Sequence, residues 1–238
     1  MIEVNDVSKV YGKKDNLFIA LKDISFKIPD GATVAILGKS GSGKSTLMHV
    51  MSGIDHPSEG EIVVDGKNLH RLKRKQMDEF RAETMSFIFQ AFFVEANQTC
   101  YQNVALPLEI AGVANKRRKD LVERALRKVE LLDKKNSKAM NLSGGQKQRL
   151  AIARSIVNKP KYIFADEPTG NLDTTTGETI IQLLFDLNKK MGCTICIVTH
   201  DDELARRCKI QIEIKDGEIQ SIKGLKKPVH KTQRGSKK

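Results

Sequence analysis

A glycine-rich stretch at residues 38–46 has the order glycine, four residues, glycine, lysine and serine, which is the pattern of a phosphate-binding loop. Glycines let successive backbone N–H groups point at one anion, and a helix that begins there adds the positive end of its dipole. Lys44 can neutralise the β- and γ-phosphates of a nucleotide, and the Ser45 hydroxyl can bind Mg²⁺. The alternative is a glycine- and serine-rich turn that only precedes a helix. The residues expected to contact the phosphates are Gly38, Ser40, Gly41, Ser42, Gly43, Lys44, Ser45 and Thr46.

Two adjacent acids, Asp166 and Glu167, follow the apolar run Tyr-Ile-Phe-Ala at 162–165. An uninterrupted apolar run is typical of a strand buried in a parallel sheet, and ligands bind at the carboxyl ends of such strands. Asp166 is therefore predicted to hold Mg²⁺, directly or through water. Glu167 is predicted to accept a proton from the water that attacks the γ-phosphate. The alternative is a pair of solvated acids in a loop.

A second glycine pair begins a predicted helix, in the sequence Leu-Ser-Gly-Gly-Gln at 142–146. Ser143 and Gln146 have the spacing of a capping box, so these residues could do no more than cap the helix. Gly144 and Gly145 would cost up to about 1 kcal/mol each in a helix interior, and a cap does not need them. We therefore predict that a ligand approaches this helix terminus closely and makes a second phosphate contact there.

The elements around these motifs predict an α/β fold, with a P-loop (RecA-like) parallel-sheet core, an N-terminal antiparallel β layer and a helical sub-domain. Apolar strand patterns at 33–37, 85–89, 162–165 and 193–198 build the core, and the alternating patterns before residue 31 build the β layer. The predicted divisions are a nucleotide-binding core with its β layer at 1–90 and 159–222, the helical sub-domain at 91–158 and a basic disordered tail at 223–238.

Composition fits a globular chain of 238 residues, with 39% hydrophobic residues and no apolar run long enough to span a bilayer. The start of the chain lacks the pattern of a secretory signal, so a cytosolic location is expected. Net charge is +12, but seven basic residues and no acid lie in 223–238, which leaves +5 for the remainder and no specific nucleic-acid partner expected. Cys193 and Cys196 lie three apart in a strand pattern, on opposite faces, and are expected to be core thiols.

In their order along the chain, these motifs closely resemble the ATP-binding cassette ATPases over about residues 1–222. That order is the phosphate-binding loop, Gln90, Leu-Ser-Gly-Gly-Gln, Ile-Phe-Ala-Asp-Glu-Pro, Gly-Asn-Leu-Asp at 170–173, and His200 after a strand. The resemblance implies that two copies pair head to tail and sandwich two ATP molecules. Residues 44–46 of one copy then face Ser143, Gly144 and Gly145 of the other.

The same resemblance implies roles for four further residues. Gln90 would contact Mg²⁺ and relay the state of the site to a membrane subunit, and His200 would contact the γ-phosphate and the attacking water. Asp173 would link the two sites across the dimer, and Tyr11, in Lys-Val-Tyr-Gly, would stack on adenine. The alternatives are a capped surface histidine for His200 and simple packing in the β layer for Tyr11.

The sequence Asp-Glu-Pro-Thr-Gly-Asn-Leu-Asp at 166–173 is similar to the macrolide-exporter and lipoprotein-release branch of that family. It implies an ATPase subunit, bound to an integral membrane permease on the inner face of the cell membrane, that exports or extracts peptides, drugs or lipidated proteins. Alternatives are a force-transmitting ATPase of a complex that regulates wall hydrolases in cell division, a soluble cassette protein of translation or DNA repair, and a regulatory nucleotide binder.

Two features leave the partners open. The segment after Gln90, Ala-Phe-Phe-Val-Glu-Ala-Asn-Gln, departs from the usual Leu-Leu-Pro-type sequence of the family, so the membrane partner and the cargo stay undetermined. The basic tail is either a solubilising end or a contact with anionic lipid.

Overall fold

The computed structural model describes residues 1–12 and 16–225 of the chain. The strands within this part are β1 (Ile2–Tyr11), β2 (Phe18–Ile28), β3 (Thr33–Leu37), β4 (Glu59–Val64), β5 (Lys67–Asn68), β6 (Met85–Phe89), β7 (Tyr162–Asp166), β8 (Thr194–Thr199), β9 (Ile210–Lys215) and β10 (Glu218–Lys223). The helices are α1 (Lys44–Met51), α2 (Arg74–Thr84), α3 (Cys100–Ile110), α4 (Asn115–Lys128), α5 (Gly144–Ile156), α6 (Thr174–Met191) and α7 (Asp202–Arg207).

The main sheet has six strands in the order β10, β9, β3, β8, β7, β6. All neighbours pair in parallel except the edge strand β10, which runs antiparallel to β9. Because β3, β8 and β7 are adjacent and parallel, the residues that follow them meet at one edge of the sheet. This arrangement brings Gly38, His200 and Glu167 together, although they are far apart in sequence.

A second sheet, in the order β2, β1, β4, β5, is antiparallel throughout. It packs with α1 and α2 on one face of the main sheet, around buried residues such as Ile24, Leu47 and Phe164. The other face is covered by α3 to α6, around Val122, Leu150 and others. The predicted α/β core with an antiparallel β layer and a helical region is therefore the observed fold.

Cys193, directly before β8, and Cys196, within it, confirm the predicted alternation. Cys193 belongs to the core on the helical face and Cys196 to the core under the antiparallel sheet. All four cysteines are buried and free of disulfide bonds. Burial raises the pKa of the Cys196 thiol to about 12, which keeps it protonated and unreactive.

Several boundaries differ from the sequence prediction. The amphipathic pattern at 177–190 predicts a helix that starts at 177, but α6 begins at Thr174. The Asp173 carboxylate accepts a hydrogen bond from the Thr176 N–H at 3.0 Å and caps the helix there. Helix α2 was not predicted, because it buries only Met77 and Phe80. The segment predicted as a disordered tail begins inside β10, and Leu225 packs on the core; its remainder, 226–238, lies outside the described residues.

In the part of the chain that the structure covers, no helix combines the length and the apolarity needed to cross a bilayer.

Candidate nucleotide-binding and hydrolysis site

The loop after β3 has the geometry of an anion-binding turn. Gly43 begins α1 with φ 102°, and a Cβ atom at this position would lie 2.5 Å from the Ala20 carbonyl oxygen. A Cβ atom at Gly38 would lie 2.3 Å from the Ile214 carbonyl oxygen and 2.4 Å from the Ser42 hydroxyl. Only glycine fits these two positions, so the sequence pattern follows from contacts with β2 and β9 as well as from ligand access.

The positive charge of Lys44 within the loop has no counter-ion among the described residues. The Lys44 side chain is 7% exposed, and its Nζ donates to the carbonyl oxygens of Gly38 and Lys39, each at 2.8 Å. No carboxylate of the described residues forms an ion pair with it, and the buried Ser42 hydroxyl also lacks a partner among them. A buried ammonium and an unpaired donor that face one loop require an anion, and the phosphate chain of a nucleotide supplies it.

A cavity of about 350 Å³ opens beside this loop. Its lining residues are Phe18, Ala20, Ser40, Gly41, Gly43, Lys44, Ser45, Thr46, Glu167 and His200. The predicted phosphate contacts therefore share one cavity with the predicted base and the predicted histidine. Phe18, which is 58% exposed, supplies an aromatic wall that the sequence analysis did not identify.

The oxygen atoms next to the loop suit Mg²⁺. The Ser45 hydroxyl donates to Asp166 Oδ1 at 3.3 Å, and both residues line a second cavity of about 260 Å³ together with Gln90. Burial raises the pKa of the Asp166 carboxyl, so a cation there would compensate the charged form. No group of three or more His, Cys, Asp or Glu side chains in the described ranges could hold a metal ion by itself.

Glu167 and His200 form a pair at the mouth of the cavity. The Glu167 carboxylate and His200 Nδ1 lie 3.2 Å apart, and the His200 side chain is 72% exposed. Glu167 has φ 43°, a left-handed conformation that is costly for a residue with a side chain. Its N–H donates to the Val198 carbonyl oxygen of β8 at 3.0 Å, which fixes the turn relative to the strand that precedes His200.

Gln90 is held by the loop that follows Glu167. The Asn171 side-chain amide donates to the Gln90 carbonyl oxygen at 2.9 Å and accepts from Gln90 Nε2 at 3.3 Å. A Cβ atom on Gly170 would lie 2.6 Å from Gln90 Nε2, so glycine permits this approach. Asn171 was quoted within the 170–173 motif, but its pairing with Gln90 was not predicted.

The predicted second helix terminus has its capping box. The Ser143 hydroxyl accepts from the Gln146 N–H at 3.4 Å, and Gln146 Oε1 accepts from the Ser143 N–H at 3.1 Å. Gly145 also has a packing reason within the chain, because a Cβ atom there would lie 2.4 Å from Thr176 Cγ2 of α6. Gly144 has no such constraint, since a Cβ atom there would lie 3.5 Å from Leu172, at ordinary contact distance.

Two residues with predicted contacts, Asp173 and Tyr11, do not line the cavity beside the phosphate loop. Asp173 serves as the α6 cap described above. The Tyr11 hydroxyl donates to Asp55 at 2.7 Å, and the Lys9 ammonium lies 4.7 Å from the centre of the Tyr11 ring. Tyr11 pairs across the strands with Phe18, and of these two aromatic residues Phe18 lines the cavity.

This fold and this site define a P-loop protein built to bind and hydrolyse a nucleoside triphosphate. The model of the ABC transporter family matches residues 21–170, and the chain belongs to that family. It is therefore an ATP-binding cassette with ATPase chemistry.

Relatives and structures agree with this assignment. The lipoprotein-releasing system ATP-binding protein LolD of Leptospira interrogans is 41% identical, over 93% of this chain and 92% of that protein. The macrolide export ATP-binding/permease protein MacB of Bdellovibrio bacteriovorus is 43% identical, over 94% of this chain but only 34% of its own length. The dimeric, post-hydrolysis structure of the ATP-binding cassette MJ0796 bound to ADP and Pi superposes with a TM-score of 0.86, at 37% identity, and covers 95% of this chain and all of that one.

Proposed function

We propose that this chain hydrolyses Mg²⁺-bound ATP as a head-to-tail homodimer, peripheral on the inner face of the cell membrane, and energises an integral membrane permease. The proposal of ATP hydrolysis rests on one observation. The Glu167 carboxylate lies 3.2 Å from His200 Nδ1, and both side chains line the cavity that Lys44 also lines. The dimeric structures of MJ0796 support the pairing.

The chain's own residues account for the chemistry. Loop N–H groups and Lys44 bind the phosphates, and Ser45, Asp166 and Gln90 would hold Mg²⁺, which neutralises charge on the β- and γ-phosphates when bound. Glu167 accepts a proton from the attacking water while the water oxygen bonds to the γ-phosphorus. The bond between that phosphorus and the leaving ADP oxygen breaks in the same step. His200, next to Glu167, orients the water and contacts the γ-phosphate.

The second half of each site comes from the other copy. Ser143, Gly144 and Gly145 lie at the exposed N-terminus of α5, where partial positive charge suits the γ-phosphate of the partner's ATP. Asp173 lies at the start of α6, beside that terminus, and is the candidate link between the two sites.

For the cargo, we propose lipidated proteins, peptides or hydrophobic drugs. The support is the identity of about 40% to relatives named for lipoprotein release and macrolide export. These names favour transport over force transmission in cell division. We propose Phe93, which is exposed and lies three residues after Gln90, as a contact with the permease.

Three variants test the mechanism. Glu167→Gln removes only the proton acceptor, so it should nearly abolish hydrolysis, keep ATP binding and trap an ATP-dependent dimer on size exclusion. Lys44→Ala should lose ATP binding itself, whereas Ser143→Arg should bind ATP as a monomer and fail to dimerise. Normal steady-state turnover by Glu167→Gln would remove Glu167 from the role of base. Equal loss of ATP binding by Lys44→Ala and Ser143→Arg would exclude the two-subunit sandwich.

Purification from detergent-solubilised membranes tests whether a permease accompanies the chain.

A further inference from the structure

We propose that Gln148 is a positioning residue that sets the orientation of Glu167 through the backbone of Pro168. This inference rests on the proposed role of Glu167 as proton acceptor. Gln148 lies in α5, shortly after the Ser143 cap, and its side chain is completely buried. Its Nε2 donates to the Pro168 carbonyl oxygen at 2.5 Å, across twenty residues of sequence.

That carbonyl belongs to the residue directly after Glu167. The turn is strained, since Glu167 has φ 43°, and a left-handed residue with a side chain persists only when its surroundings fix it. The Glu167 N–H is tied to the Val198 carbonyl oxygen of β8 at 3.0 Å, and the Glu167 carbonyl oxygen accepts from the Gly170 N–H at 3.0 Å. Gln148 adds a hydrogen bond from a different element, so the backbone that carries the Glu167 side chain is held between the sheet and α5.

The Gln148 amide is poorly suited to a purely structural role. Its Oε1 atom is buried and has no hydrogen-bond donor among the described residues. A buried acceptor without a partner is unfavourable, and an apolar side chain of similar length avoids this cost. What the amide provides, and such a side chain cannot, is the bond to Pro168.

The bond also gives α5 a role in its own chain. The first turn of α5 carries Ser143 and Gly144, the proposed contacts with the partner's nucleotide. A displacement of this helix when the partner engages would reach Glu167 of the same chain through one buried side chain. Because a misplacement of about 1 Å can cost 100-fold in rate, this single contact is enough to make turnover depend on engagement.

The test replaces the amide and keeps its length. Gln148→Met should lower kcat for ATP about 10- to 100-fold, with KM, ATP affinity and thermal unfolding temperature close to those of the unaltered chain. Gln148→Asn keeps an amide that is too short to reach Pro168 and should show the same loss, which guards against poor folding of the methionine variant. Ser155→Ala is the matched control, because it removes a buried polar group of α5 whose bond goes only to Ile152 within the helix.

A double variant separates this inference from the proposed function. If Gln148 acts through Glu167, then Gln148→Met added to Glu167→Gln should not lower the residual single-turnover rate further, and the ATP-trapped dimer should form as it does with Glu167→Gln alone. The inference would be overturned by an unchanged kcat in both Gln148 variants or by loss of the ATP-trapped dimer. A fall in kcat that is explained by lost stability would overturn it as well. Normal turnover by Glu167→Gln would instead remove the proposed base.

Discussion

At the scale of single residues, the site combines groups that would be costly in any structure that did not bind a nucleotide. Lys44 is buried with only carbonyl oxygens as partners, and Glu167 is held in a left-handed backbone conformation. An ammonium that pairs only with dipoles is neutralised fully when phosphate arrives. A strained turn keeps the Glu167 carboxylate aimed before the water is bound, so less reorganisation is needed during the reaction.

A second question at this scale is which aromatic side chain stacks on the adenine ring of ATP. Phe18 is exposed in the cavity, whereas the Tyr11 hydroxyl is tied to Asp55. We expect Phe18→Ala to weaken ATP binding about 10-fold, because base stacking contributes about 1–3 kcal/mol, and to leave the affinity for inorganic tripolyphosphate unchanged. Calorimetric titration measures both ligands.

Leu17→Ala is the matched control for that prediction, since Leu17 is equally exposed beside Phe18 but does not line the cavity. If Tyr11→Ala weakened ATP binding and Phe18→Ala did not, the base would stack on Tyr11, as the family resemblance implies.

At the scale of elements, α5 is the part that joins the loops of the site. Gln148 reaches the turn after Glu167, and farther along Arg154 donates to the carbonyl oxygens of Phe93, at 2.6 Å, and Phe92, at 3.3 Å. Both phenylalanines have positive φ, so this half-buried guanidinium holds a strained segment shortly after Gln90. Helix α5 therefore bridges the segment expected to face the permease and the turn that carries the base.

The contact between α5 and α6 gives a prediction at the same scale. Gly145→Ala should destabilise the fold by about 1–3 kcal/mol, because the new Cβ atom would lie 2.4 Å from Thr176 Cγ2. Adding Thr176→Ser removes that methyl group and should restore most of the stability, since alanine is the better helix former. Urea unfolding of the single and double variants measures this.

The same pair of variants separates packing from ligand access. If the double variant is as stable as the unaltered chain but cannot form the ATP-dependent dimer, the glycine also serves an approaching ligand. A single variant with unchanged stability would contradict the packing argument.

Contacts local in sequence were predictable here, and contacts between distant elements were not. The capping box of Ser143 and Gln146 and the turn at 38–46 follow from spacing alone, as does the placement of Cys193 and Cys196 on opposite faces. The bond from Gln148 to Pro168 has no such signal, because its geometry depends on how α5 packs against the sheet. Helix α2 was not predicted because two buried residues make too short an apolar stripe. The start of α6 was placed too late because Asp173 was assigned to the dimer rather than to a helix cap.

At the scale of the whole molecule, a polar cluster fastens the two sheets together away from the nucleotide. The buried Tyr162 hydroxyl at the start of β7 donates to Asp65, in the turn between β4 and β5, at 2.5 Å. Lys161 and the N-terminal ammonium also bind Asp65. Burial alone would raise the pKa of Asp65, but these partners outweigh it and lower the pKa to about 2.

This cluster predicts a loss of stability in acid. Because the folded pKa of Asp65 lies below its ordinary value of 3.8, its stabilisation is present above that value and is lost as pH falls from about 4 towards 2. Asp65→Asn should lower the free energy of unfolding at pH 7 by about 1–2 kcal/mol after allowance for solvent screening. Its unfolding free energy should also depend less on pH between 5 and 2. Urea unfolding across this range, with Asp186→Asn as a surface control, measures the difference, and parallel pH curves for Asp65→Asn and the unaltered chain would contradict it.

The basic segment at 226–238 bears on the membrane assembly proposed for this chain. It contains six lysine and arginine residues and no acid. Beside a permease in an anionic membrane, each charge near the surface contributes about 1 kcal/mol, less the cost of ordering the segment. It also lacks aromatic residues, which disfavours base stacking on nucleic acid.

Since Leu225 packs on the core, the informative truncation ends the chain at Leu225. We expect this truncated chain to keep its ATPase rate and to lose flotation with anionic liposomes, while the full chain floats at low salt and less at high salt. Neutral liposomes are the control. Equal flotation of both chains would exclude a lipid contact through this segment and leave a solubilising role, whereas a collapsed ATPase rate would mean that these residues belong to the fold.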